Sequence, residues 1–141
     1  MSVARAFVDS NILVYAHDRG QGEKHERAKA LIERLWAERS GVLSTQVLQE
    51  FYVNVRRKAA NPVPRAEARR LVEDYLTWQV LVNDGSAILG ALDLEERYGI
   101  SFWDGLIVQA ALMAGAETLY SEDLNHGQAY GTVTVSNPFL S

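Results

Sequence analysis

Residues 6–15 read AFVDSNILVY, and the parsing of this stretch decides the fold. Its first half completes an apolar run over residues 3–8 broken only by Arg5, the pattern of a buried strand starting almost at the N-terminus. The run stops at an acid, Asp9, followed by the small polar residues Ser10 and Asn11. Apolar residues resume at Ile12, Leu13, Val14 and Tyr15, as the first turns of a helix supply them. A carboxylate where a core strand hands over to a helix sits at the carboxyl edge of a sheet, where open α/β sheets bind ligands. Asp is also among the best N-cap residues, so Asp9 has a plain structural reading as well.

Downstream, residues 17–22 are polar with two glycines and read as a loop. The spacing of Ala28, Leu31, Ile32, Leu35 and Trp36 predicts a helix over 23–39, with a mixed-charge solvated face. Val42 and Leu43 form a brief second strand, and Ser44 or Thr45 caps a helix carrying Val47, Leu48, Phe51, Tyr52 and Val55 on one side. The prolines at 62 and 64 end it, and Pro64 opens another helix over 65–78 with Ala68, Leu71, Val72, Tyr75 and Leu76 inward. A third strand over 80–82, a helix stopping at Gly99, a helix from Ser101 to Gly115, and strands over 118–120 and 133–135 complete the chain. Short strands alternating with helices imply an α/β fold: one domain over 1–141, a mainly parallel central sheet and helices on both faces.

Composition narrows the function. With 48% hydrophobic residues, 141 residues bury a core without staples, and no cysteine is present for disulfide or thiolate chemistry. No apolar run approaches the ~18 residues of a membrane span, and no signal peptide is visible, so a cytoplasmic protein with no membrane partner is expected. The net charge of −4 argues against holding nucleic acid by bulk attraction. It leaves room for a nucleic-acid enzyme whose acids hold cations. A basic stretch, Arg56-Arg57-Lys58 with Arg65, Arg69 and Arg70, reads as a surface face with RNA phosphates as an alternative contact.

The acids form a pattern. Asp9 follows the first strand and Asp123 the fourth, so in a parallel sheet both lie on one edge. Glu50 reaches that edge from the start of its helix. Asp104 joins them only if the hairpin of two helices returns Ser101 across the top. Each has a bland alternative: Asp104 completes a capping box with Ser101, Glu50 is a solvated helix residue, Asp123 a turn acid. Asp93, Glu95, Glu96 and Glu122 read as solvated, as do His17 and His25, and His126 is an outside candidate for substrate contact.

Four segments carry a resemblance to a known family: FVDSNILVYA (7–16), TQVLQEFYVNV (45–55), SFWDGLIVQAA (101–111) and LYSEDLNHG (119–127). In order and spacing they resemble the PIN domain family, and within it the VapC-type ribonuclease toxins of toxin–antitoxin pairs. The resemblance runs over residues 7–139. It implies a metal-dependent endoribonuclease that hydrolyses RNA phosphodiesters with metal-activated water. Asp9, Glu50, Asp104 and Asp123 would hold Mg²⁺ or Mn²⁺, hard cations that take oxygen ligands. Ser10, Asn11, Ser121 and Asn125 would support them. The resemblance also implies a homodimer and a small antitoxin partner. The chain departs from many relatives at Asn125, where they carry a further acid, which weakens a second metal site. Three other readings compete. A haloacid-dehalogenase-type phosphatase needs a second Asp where Asn11 stands, and a P-loop enzyme needs a glycine-rich motif that is absent. The third is a catalytically inactive PIN-like module that binds RNA or a partner protein.

Overall fold

The structure, a computed structural model, describes residues 3–140; Met1, Ser2 and Ser141 of the expected domain lie outside the described residues. Strand β1 spans Ala6–Val8, every side chain of it buried. Residues 3–5, expected to begin this strand, are exposed and precede it. Asp9 then caps helix α1, Ser10–His17, accepting a hydrogen bond from the Ser10 N–H. A 3₁₀ turn, Arg19–Gln21, leads to α2, Glu23–Glu38. Strand β2, Gly41–Ser44, runs straight into α3, Thr45–Arg57, and it is Ser44 that caps α3, through the Val47 N–H. Pro64 stands at the N-cap of α4, Arg65–Tyr75. That helix ends before the expected position 78, leaving Leu76 exposed instead of inward. Strand β3 is Gln79–Leu81. Asp84 caps α5, Gly85–Tyr98, and Gly99 stops it with a left-handed backbone at φ 65°. Ser101 caps α6, Phe102–Met113. Three strands close the chain: β4 at Thr118–Tyr120, β5 at Ala129–Tyr130 and β6 at Val133–Ser136.

The sheet order is β3-β2-β1-β4-β6-β5. All pairings are parallel except β5 on β6, an antiparallel edge that strand propensity does not flag because β5 has two residues. The chain winds outward from β1 through β2 to β3, then returns across β1 to β4. The connections run one way from β1 to β3 and the other way from β3 to β4, so the right-handed rule for such crossovers assigns α1 to α4 to one face and α5 with α6 to the other. Phe7, Val8, Leu43 and Leu119 fill the core between these layers, each fully buried. Among the described residues no helix is long and apolar enough to cross a membrane. Because β1 pairs Val8 with Tyr120, the residues that follow, Asp9 and Ser121, emerge side by side at the carboxyl edge.

Candidate active site

Three consecutive residues at the end of β1 reach three other parts of the chain. Asp9 Oδ1 accepts from the Ser10 N–H at 2.7 Å, and its Oδ2 accepts from the Ser121 hydroxyl at 2.8 Å. The Ser10 hydroxyl donates to Glu50 Oε1 at 3.0 Å. The Asn11 amide donates to Asp123 Oδ2 at 2.9 Å. The tripeptide thus links β1 to the turn after β4 and to the second turn of α3. Ser121 is itself shaped by that turn: its oxygen accepts from the N–H groups of Asp123 and Leu124 at 3.1 and 3.4 Å. With both of those bonds incoming, its own proton is directed to Asp9.

Asp104 stands apart from these bonds. Its N–H donates to Ser101 Oγ at 3.0 Å, the capping arrangement expected of this pair. It couples to the others through charge, since Asp123 helps raise its carboxyl. A residue that the sequence reading passed over makes the nearest physical link. Gln46, buried one turn before Glu50, donates to Glu50 Oε2 and to the Trp103 carbonyl, each at 3.4 Å. Its Oε1 is buried without a partner among the described residues. The only signal in the sequence is the i, i+4 spacing to Glu50, which places both on one helix face.

Electrostatics single out Asp9. Burial pushes its carboxyl up to about 7, against the Ser121 and Ser10 hydrogen bonds, and the negative charges of Asp123 and Glu50 add to the rise. Burial also raises Asp104, ahead of the Asp123 charge. None of the four acids has an ion pair among the described residues; the salt bridges involve Glu122, Glu23, Glu38 and Glu73. Mutually repelling carboxylates, none of them ion-paired among the described residues, fit a bound cation. The donors are all oxygen, as Mg²⁺ and Mn²⁺ require. No three Asp, Glu, His or Cys side chains among the described residues stand together as a finished cage. Mg²⁺ does not need one, because it is held by one or two carboxylates and keeps several waters.

Other expected roles fall differently. Asn125 is exposed, its carbonyl accepts from the Gln128 N–H at 3.1 Å, and among the described residues no side-chain bond joins it to the acids. His126 is taken by the C-terminal segment: its Nδ1 accepts from the Asn137 N–H at 3.0 Å. His17 and His25 are not solvated. His17 Nε2 lies 2.6 Å from the Tyr75 hydroxyl, and burial lowers its pKa to about 4. His25 is buried with Nδ1 2.9 Å from the Tyr15 carbonyl. Glu122 is not a solvated acid either; it accepts from the Tyr15 hydroxyl and pairs with Lys24. Both histidines and Glu122 are held by bonds between α1 and other parts of the chain, His17 to Tyr75 and Tyr15 to His25 and Glu122, a tertiary fact that local polarity does not reveal.

The PIN domain family profile matches residues 6–131. No curated protein sequence matches the chain. Among solved structures the chain is similar to VapC20 of Mycobacterium tuberculosis, described as a sarcin–ricin loop cleaving toxin. That likeness has 21% identity over 84% of this chain and 89% of the other, with a TM-score of 0.65. A toxin–antitoxin complex from Klebsiella pneumoniae aligns at 18% identity over 95% of this chain and 98% of its own, with a TM-score of 0.69. DNA-bound VapBC from Salmonella typhimurium aligns at 17% identity over 96% of this chain and 99% of its own, with a TM-score of 0.64. At such identities the likeness is one of fold, and it extends over most of both chains. With the family profile spanning every element from β1 to β5, this chain belongs to the PIN domain family.

Proposed function

We propose that this chain is a metal-dependent endoribonuclease, the toxin of a toxin–antitoxin pair. One observation carries the reading: Asp9, Ser10 and Asn11 bond respectively to Ser121, Glu50 and Asp123. A strand end that only capped a helix would need the first of these residues and not the other two. Asp9, Glu50, Asp104 and Asp123 are the residues that would hold Mg²⁺ or Mn²⁺. Bound there, the ion would neutralise charge on the scissile phosphate and activate the attacking water. The chain's own contribution is positional. Ser121 fixes the Asp9 carboxylate, Ser10 fixes that of Glu50, and Asn11 fixes that of Asp123, so little reorganisation remains when substrate arrives. At Asp104, the N-terminus of α6 and the Ser101 cap oppose the rise that burial and the Asp123 charge impose on its carboxyl.

RNA as the substrate class is supported by family membership and by the likeness to a sarcin–ricin loop cleaving toxin. On the same ground the chain is expected to take a small antitoxin protein, to pair with a second copy and to act in the cytoplasm. The test is cleavage of total cellular RNA by purified, antitoxin-free protein. In EDTA the RNA should stay intact, and added Mg²⁺ or Mn²⁺ should restore cutting. Cutting that persists in EDTA would mean a metal-independent ribonuclease. RNA binding without cutting under either condition would mean an inactive module.

A further inference from the structure

A cavity lies at the opposite edge of the sheet, where strands begin. It has a volume of about 580 Å³ and is walled by Trp36 and Trp78, with Arg5 and Arg39 at its rim and Thr77 and Gln79 beside them. That volume is in the range of small-molecule sites. The two indoles meet edge to face at 5.1 Å, and Trp36 is backed by Tyr75, so the wall is rigid. Gly41 is part of the construction, because a Cβ there would stand 2.1 Å from the Trp78 ring. The backbone of β2 must be bare for the indole to lie against it. Trp36 nevertheless keeps 38% of its surface exposed.

The arginines are unusual for this molecule. The chain is acidic, yet neither Arg5 nor Arg39 pairs with a carboxylate among the described residues. Arg5 is anchored by a bond from Nη1 to the Ala114 carbonyl at 3.1 Å, which leaves donors of its guanidinium unused. Arg39 ends α2 with φ 55°, the one described non-glycine residue with positive φ. Glycine or asparagine is the usual choice there. The negative end of the helix dipole favours a cation at this terminus, but it gives no reason for Arg5. Aromatic faces take a base by stacking, guanidinium groups take phosphate oxygens, and amide and hydroxyl groups take base edges. All three chemistries converge on one concave site.

We propose that this cavity binds a nucleotide, its base against Trp36 and Trp78 and its phosphate on Arg5 and Arg39. The inference is independent of the acidic edge, so either can fail alone. The same chemistry is presented by a free nucleotide and by one nucleotide of a bound RNA strand. Titrations of the full chain in EDTA with adenosine monophosphate and with a single-stranded oligoadenylate separate these sources. Trp103→Phe leaves Trp36 and Trp78 as the only tryptophans, so quenching of the remaining fluorescence reports this cavity. Saturable quenching by the monophosphate, weakened tenfold or more in both Arg5→Gln and Arg39→Gly, establishes a free-nucleotide site. The same losses seen with oligoadenylate alone establish a subsite for an RNA strand. Arg39→Gly should melt no lower than its parent, because glycine relieves the left-handed backbone, so lost binding cannot be lost folding. Arg97→Gln, distant in sequence and absent from the cavity wall, is the charge control. No quenching by either probe, or equal losses in all three arginine variants, overturns the proposal.

Discussion

Asp9 follows β1, caps α1 and accepts from Ser121, bonds that favour its charge, while its burial opposes that charge. Its carboxyl rises from an ordinary value of 3.8 to about 7, chiefly through burial. Between these values the folded chain holds a proton that the unfolded chain has lost, so metal-free stability falls as pH rises through this window. Thermal melts in EDTA should therefore show wild type losing stability from pH 5 to pH 8. Asp9→Asn should lose less over the same range; equal slopes would remove Asp9 as the source. For activity, Asp9→Asn, Glu50→Gln, Asp104→Asn and Asp123→Asn should each slow RNA cleavage by about a hundredfold or more, the scale of positioned electrostatic groups. Glu122→Gln, one position from Asp123, should cleave at the wild-type rate, and the reverse ranking would put the fourth motif one residue out of register. The positions of the four acids in the fold were legible because strand ends and helix starts are marked by the sequence itself. Gln46 was not, since a glutamine on a helix has no distinguishing neighbour until α3 and α6 come together.

Elements were easier to read in type than in extent. Alternating strands and helices give the parallel sheet, but nothing local specifies the order β3-β2-β1-β4-β6-β5 or adds the two-residue β5. The residues 17–22 read as a loop from their glycines, and their real constraint is Asp18. It is fully buried and accepts from the N–H groups of Ala60 and Asn61 at 2.7 and 2.8 Å, tying the end of α1 to the connection between α3 and α4. Burial alone would raise this carboxyl, but the Asn61, Ala60 and Gly20 N–H groups and the Gln21 amide bring it below its ordinary value. Asp18→Ala removes the charged acceptor that these donors share and should destabilise the fold by about 3 kcal/mol in urea unfolding. A depressed acid stabilises above its unfolded pKa and stops doing so as pH falls through the folded one. The gap between wild type and Asp18→Ala should accordingly narrow on acidification below pH 4. A gap that is small at pH 7, or constant with pH, would make Asp18 incidental to the clamp.

At the scale of the whole molecule, the proposed RNA cleavage by an acidic chain would have to rely on local charge. Replacing Arg56, Arg57 and Lys58 together with Gln should weaken RNA binding, and lower its salt dependence, without altering metal affinity. Arg56 already lies over the Tyr52 ring at 5.2 Å, so an unchanged RNA affinity would return this stretch to an ordinary surface face. The central claim is that the carboxyl edge of the sheet is a cation site for which folding holds repelling acids together. Its most direct measurement is the melting temperature of wild type and Asp9→Asn, both antitoxin-free, in EDTA and in saturating Mg²⁺. In EDTA the variant should melt higher, because Asn still caps α1 while one buried charge is gone. In Mg²⁺ wild type should gain by roughly 3 kcal/mol at a hundredfold excess over its dissociation constant, and the gap should close or reverse. A variant that melts lower in EDTA, together with a wild type indifferent to Mg²⁺, would make Asp9 a structural cap and contradict the account.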